Sequence, residues 1–187
     1  MGELCSDVTI FRASFQEDSS LSHTLLLQAA SCYSGLPAVQ LGSLEINPWG
    51  KPSFSKRPQL HFSITHSGHW WLCGFADQPI GLDLQVHRTH AAPERLSQRF
   101  FHPREDAFLA EEDYSRFFDL WCAKESWVKY TGRGFYDGTE SFSVVSLAGE
   151  VPAVEGAQLR LIPFDAEYSL CLCAKALGEI RILPLCP

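Results

Sequence analysis

The chain has 187 residues, of which 45% are hydrophobic, 12% aromatic and 20% charged, with a formal charge of −7 from 15 basic and 22 acidic side chains. This is too apolar and aromatic for a disordered chain, and it is neither fibrous nor low in complexity. The acidic balance argues against a nucleic-acid binder, and no apolar run approaches the roughly 20 residues of a membrane span. Met1-Gly2-Glu3-Leu4-Cys5-Ser6-Asp7 lacks a basic stretch leading into an apolar one, so a cytoplasmic protein is expected. The seven cysteines contain no Cys-x-x-Cys pair, and reduced, mostly buried thiols are the expectation.

In chain order, the first predicted element is a helix over 21–33, where Leu21, Leu25, Ala29 and Cys32 follow a 3.6-residue period until Gly35 and Pro37 end it. Strand-like segments follow at 43–46 and 60–65. Residues 70–76 and 80–86 read as hairpin arms joined by Asp77-Gln78-Pro79. Pro103-Arg104-Glu105 opens a short helix, because proline suits a first turn. The strongest helical pattern spans 114–130. Strands are expected at 140–147, 158–163 and 168–176, with a fourth at 180–185 reached through a Leu177-Gly178 turn. The fold class is therefore α+β, a pseudo-symmetric pair of halves, each a helix packed on a small antiparallel sheet. The halves divide at 1–87 and 88–187. The symmetry rests on element order alone.

Three segments carry candidate chemistry. Phe62-Ser63-Ile64-Thr65-His66-Ser67-Gly68 sets a histidine between two hydroxyls at a strand end, which suits an anion but also suits an ordinary turn. In Ile80-Gly81-Leu82-Asp83-Leu84-Gln85 a carboxylate interrupts an apolar strand and needs a cation, either a metal or a neighbour such as Arg88. In the third segment, 121–134, Glu125 and Lys129 share a helix face at i,i+4, the spacing of a common ion pair. That aromatic-rich helix runs directly into Gly132-Arg133-Gly134.

Together with Gly50-Lys51-Pro52, these segments resemble the 4'-phosphopantetheinyl transferases of the surfactin-synthetase-activating type. The family pattern is Gly-Lys-Pro, then Phe-Asn-Ile-Ser-His-Ser-Gly, then Gly-Ile-Asp-Ile-Glu. It closes with Trp, two spacers, Lys-Glu-Ser, a lysine four after the glutamate and a Gly-Lys-Gly loop. The resemblance covers roughly 20–176 and implies a monomer with coenzyme A and Mg²⁺ held between two halves. It implies that the 4'-phosphopantetheine arm passes from coenzyme A to a serine of an apo acyl or peptidyl carrier protein, leaving 3',5'-ADP. Carriers of fatty-acid, polyketide and nonribosomal-peptide biosynthesis are all acceptable to this type.

By the same resemblance, Asp83 and Glu125 are the metal carboxylates, with Gln85 standing where the family has a third, acidic ligand. Asp83, Glu125 and Lys129 form the catalytic set, and Glu125 or a metal-bound water takes the serine proton. Lys51, Pro52, Thr65, His66, Ser67 and Lys129 match coenzyme A positions, with His23 and Arg12 the further candidates for the 3'-phosphate. Gly132, Arg133, Gly134 and Phe135 match the region that meets the carrier.

Overall fold

A computed structural model describes residues 5–16, 19–88, 92–134 and 138–185. Among these residues the elements are β1 (Ser6–Ser14), α1 (Ser19–Ser34), β2 (Leu44–Ile46), β3 (Pro52–Phe54), β4 (His61–Ser67), β5 (Trp70–Ala76) and β6 (Ile80–Val86). There follow α2 (Pro93–Phe100), α3 (Pro103–Glu111), α4 (Phe117–Thr131), β7 (Gln158–Leu161), β8 (Tyr168–Ala174) and β9 (Leu177–Pro184). The class is mixed α+β, as expected. No described helix is long and apolar enough to cross a membrane.

The strands form a four-stranded sheet of order β4-β5-β1-β9, a three-stranded antiparallel sheet of order β6-β8-β7, and the β2–β3 hairpin. The two larger sheets draw on both ends of the sequence. β9 lies parallel to β1, with Ile10 opposite Ile182, and β6 pairs with β8, with Asp83 opposite Cys171. Each of these sheets thus combines strands from before and after residue 87, and the equivalence of two halves does not follow from this topology.

Three sequence expectations are corrected by the pairing. Residues 70–76 and 80–86 are not hairpin partners: β5 pairs with β4 and β1, while the intervening turn delivers β6 to the other sheet. Leu177-Gly178 does not turn a β8–β9 hairpin, because β9 starts at Leu177 and joins β1. The strand expected at 140–147 is absent; a short 3₁₀ turn occupies Thr139–Ser141. The backbone beyond it is spent elsewhere. The Val144 N–H donates to Glu105 (2.7 Å), that of Val145 to Ser143 Oγ (3.1 Å) and that of Glu150 to Ser146 Oγ (2.9 Å). Other donors close turns within the segment, as Ser146 N–H does on Glu150 O (3.0 Å), rather than pairing with a neighbouring strand. β1 and α2 carry no sequence signal strong enough to be anticipated.

The helices arise from local chemistry. In α1, Leu26, Ala29 and Ala30 are buried against Phe54, Phe62, Trp71 and Phe75, as their spacing requires. A capping box opens α3: His102 Nδ1 accepts from Arg104 N–H (3.1 Å), and Glu105 accepts from His102 N–H (2.9 Å). α4 ends at Gly132, left-handed at φ 65°, whose N–H returns to Val128 O at 3.0 Å.

Two devices join the sheets where the site forms. Ser63, Thr65 and Ser67 project alternately from β4, and their hydroxyls accept the N–H groups of Leu82, Leu84 and Val86 at 2.9, 3.0 and 2.9 Å. β4 is an edge of one sheet and β6 an edge of the other, so side-chain hydroxyls satisfy the backbone donors of a strand that has no backbone neighbour there. The second device is Gly81. A Cβ at that position would strike Ser126 O and Tyr130 N of α4. Its absence lets α4 lie directly on β6.

Candidate functional site

α4 is bolted to the three-stranded sheet through side chains one turn apart. Cys122 Sγ donates to Asp83 O (3.0 Å) and Ser169 O (3.2 Å), and Ser126 Oγ donates to Cys171 O (2.8 Å). With Cys122 and Ser126 turned inward, Trp121, Glu125 and Lys129 share the adjacent stripe by the same i,i+4 spacing. Burial pushes the Cys122 thiol well up, and the Asp83 charge adds to it, which suits a structural role rather than a nucleophile.

That stripe faces a cavity of about 250 Å³ lined by Thr65, His66, Asp83, Gln85, Trp121, Glu125 and Lys129, together with Ile64 and Leu84. The three residues expected to act together do converge. Lys129 Nζ donates to Asp83 Oδ1 at 2.6 Å, and also to Leu82 O (3.1 Å) and Ile64 O (3.3 Å). Thr65 Oγ1 donates to the same Asp83 oxygen at 3.2 Å. Asp83 is therefore held by a lysine from α4 and a hydroxyl from β4, not by Arg88, which is exposed.

The ordinary i,i+4 ion pair that their spacing would allow is not formed between Glu125 and Lys129; among the described residues the ion pair of Lys129 is with Asp83. The reason is the close seating of α4 on Gly81, which brings the lysine stem over β6. Glu125 is left facing a like charge in a half-buried place. Burial first, and the Asp83 carboxylate second, push its pKa up to about 7, with Lys129 opposing the rise.

The remaining predicted residues divide clearly. His66 is exposed at the cavity wall with its ring 4.9 Å from Phe15, and Ser67 gives its lone pair to Val86 N–H. Gln85 lines the cavity while its amide nitrogen donates to Val86 O at 3.2 Å. Pro52 lies in β3 beside a second cavity of about 230 Å³, which shares Ile64 and Lys129 with the first and extends to Trp49, Gly132 and Gly134. Lys51 borders this second space, but its ammonium is turned to carbonyl groups of Ile80, Lys129 and Tyr130 (3.1, 2.6 and 3.3 Å). His23 is exposed on α1 and Arg12 is exposed on β1 with its guanidinium 5.2 Å over the Trp70 ring; neither lines these cavities. Arg133 is exposed, and Phe135 lies outside the described residues.

Sequence reasoning missed several parts. Asn47 has no distinguishing pattern. Cys122 and Ser126 were legible as an i,i+4 pair of small polar residues on an apolar helix face. Glu105 had a signal in its distance from a capping residue, but nothing in the sequence pairs it with Lys124, to which it bonds at 2.7 and 2.9 Å in full burial.

Among the described residues no group of three or more His, Cys, Asp or Glu side chains is placed to hold a metal ion, so any cation here would rely on two carboxylates and an amide. Asp83 and Glu125 are carboxylates and Gln85 offers an amide oxygen, the hard oxygen ligands Mg²⁺ takes.

Comparison with known proteins gives a consistent result. The family model of the 4'-phosphopantetheinyl transferase superfamily matches residues 79–178. A 4'-phosphopantetheinyl transferase of Bacillus subtilis is 33% identical over 162 residues, covering 80% of this chain and 70% of that protein. The 4'-phosphopantetheinyl transferase Sfp of Bacillus subtilis strain 168 is 33% identical over 138 residues, 67% of this chain and 60% of its own length. The 4'-phosphopantetheinyl transferase gsp of Aneurinibacillus migulanus is 34% identical over 100 residues, and the chain spans 40% of its length.

Proposed function

The chain belongs to the 4'-phosphopantetheinyl transferase superfamily, in which it is similar to Sfp, and on that premise we propose that it transfers the 4'-phosphopantetheine group of coenzyme A to a serine of an apo acyl or peptidyl carrier protein. The observation that supports the reading is the convergence of Asp83 from β6 with Glu125 and Lys129 from α4 on one cavity. These residues come from sequence regions 1–87 and 88–187, and one copy of the chain supplies them all, so a monomer suffices.

The serine oxygen forms a bond to the pantetheine-side phosphorus of the coenzyme A diphosphate. The bond from that phosphorus to the bridging oxygen breaks, and 3',5'-ADP carries the electron pair away. The serine proton goes to Glu125 or to water in the cavity; a carboxylate with affinity near neutrality is suited to that transfer. Lys129 stands where it can offer its charge to the diphosphate while keeping Asp83 oriented, and His66 adds a donor at the exposed wall. When bound between Asp83 and Glu125, with Gln85 as a further ligand, Mg²⁺ would supply Lewis-acid polarisation of the diphosphate. The adjoining apolar space beside Pro52 and Val128 would take the pantetheine portion of an extended ligand, and Gly132 and Gly134 line it, with the exposed Arg133 between them in sequence available to the carrier.

The test is intact-protein mass spectrometry of apo acyl and peptidyl carriers incubated with this protein, coenzyme A and Mg²⁺. A gain of one phosphopantetheine arm, lost on adding EDTA, is the expected result. Absence of any gain across all carriers, with carrier binding retained, would replace the transferase by a carrier-binding protein.

A further inference from the structure

The Gly50-Lys51-Pro52 element is tied into the fold through the ammonium of Lys51. An ammonium has three protons to give. In Lys51 all three have carbonyl acceptors: Ile80 O at the start of β6, and Lys129 O and Tyr130 O in the last turn of α4. The stem of Lys51 passes so close to Gly132 that a Cβ there would lie 2.8 Å from Lys51 Cδ. The second participant is Asn47. Its Nδ2 donates to Gly132 O at 2.9 Å, while its Oδ1 accepts the N–H groups of Trp49 (3.0 Å) and Lys51 (2.8 Å). Asn47 N–H donates to Lys51 O, and Gly50 N–H to Asn47 O, each at 3.0 Å, which closes the β2–β3 turn into a compact knot.

Helix C-termini leave their last carbonyls without intrahelical donors, and a cation placed there is favoured by the helix dipole as well. Here those donors come from a turn about eighty residues earlier in the chain. We propose that Asn47 and Lys51 are positioning residues: they form a cap delivered in trans across the fold that fixes the last turn of α4, and with it Lys129 and the Gly132–Gly134 loop. With its ammonium engaged by backbone carbonyls, Lys51 acts on the site through α4 rather than by direct contact. The charge contact is left to Lys129, whose own carbonyl accepts the shortest of the three Lys51 bonds. The functional part of this inference rests on the transferase reading above.

Two variants test it, Asn47→Ala and Lys51→Met, the latter keeping the length of the side chain without its charge. Under saturating Mg²⁺ both should lower kcat by about tenfold and raise KM for the carrier several-fold, while KM for coenzyme A stays within about twofold of the parent. Amide hydrogen exchange of Lys129–Gly132 in the free protein should speed up by about tenfold or more in both, with β4 and β5 unaffected. A rise in KM for coenzyme A of about tenfold in Lys51→Met, with Asn47→Ala behaving as the parent, would overturn the proposal and give Lys51 to the phosphates. Unchanged exchange in both variants would also overturn it. Should Lys51→Met fail to fold, Asn47→Ala carries the same pair of readouts. Should the parent modify no carrier, the transferase reading falls, while the exchange measurement still decides whether the cap exists.

Discussion

α4 contributes to two lysine–carboxylate pairs that sit five residues apart and differ in every respect that matters. Lys124 and Glu105 are almost wholly buried, with side chains 3% and 0% exposed. The Glu105 carboxylate accepts from Lys124 twice, from Val144 N–H and from His102 N–H, and Lys124 also donates to Phe142 O at 2.8 Å. Lys129 and Asp83 are 30% and 9% exposed and open onto the cavity, with Glu125 beside them as an additional negative charge. The first pair is saturated on all sides, so it can only hold α3, α4 and the 142–144 segment together. The second is left with an uncompensated carboxylate, and an arrangement that the fold does not neutralise is one that a ligand can. Of these adjacent residues, Lys124 is sealed in the interior while Glu125 lines the open cavity.

The largest expected effect breaks the open pair. Asp83→Ala and Glu125→Ala should each cut turnover by about a thousandfold, on the order of 4 kcal/mol of transition-state stabilisation. Both should still bind the carrier, as measured by calorimetry, because neither lies on the loop assigned to it. Loss of carrier binding along with turnover would place these residues in a structural role instead.

The sealed pair should answer in the opposite sense. Glu105→Ala leaves an unpaired buried ammonium and should cost about 3–5 kcal/mol of unfolding free energy. Turnover per folded molecule should change little, while Glu105→Met combined with Lys124→Met recovers most of the stability. Denaturant unfolding with parallel activity assays decides, and a selective loss of turnover without destabilisation would make the pair catalytic.

Smaller effects sharpen the contrast. Lys51 is held down to about 8 by burial, with the neighbouring Cys173 thiol opposing the fall. A base whose folded pKa lies below its unfolded value binds fewer protons when folded, so this group's contribution to stability rises as pH increases from about 8 to about 10.5. Melting temperatures of the parent relative to Lys51→Met should therefore climb across that window; a flat difference would mean the ammonium is solvated. Smallest of all, Gln85→Glu adds a charged oxygen to the donor set and should lower the Mg²⁺ concentration for half-maximal rate several-fold. An unchanged requirement removes Gln85 from the metal's surroundings.

Much of the site is legible in the order of residues alone. The His66 segment, Asp83 and the Glu125–Lys129 helix each carry a local pattern, and the fold gathers them at one cavity. The partners are what local pattern hides. The hydroxyls of Thr65 and Ser67 look like ligands for an anion, yet both are engaged with the backbone of β6, and the Thr65 proton goes to Asp83. Lys51 looks like a phosphate contact and turns inward to the end of α4. A residue type states what chemistry is available, but several acceptors compete for each donor, and the nearest wins.

The sequence by itself determined α1, α3 and α4, most of the apolar strands and the chemical inventory, because periodicity, caps and motif spacing act over a few residues. α4 shows this at both levels, with its extent and its inward and outward faces written in its own order of residues. Which strands pair was decided only by the tertiary structure. β1 joins β9 from the far end of the chain, β6 leaves its expected hairpin for β8, and Lys129 exchanges a helical neighbour for Asp83. Such contacts depend on how distant apolar faces share one interior, as when the missing Cβ of Gly81 allows α4 to rest on β6, and that fit is a property of the assembled chain.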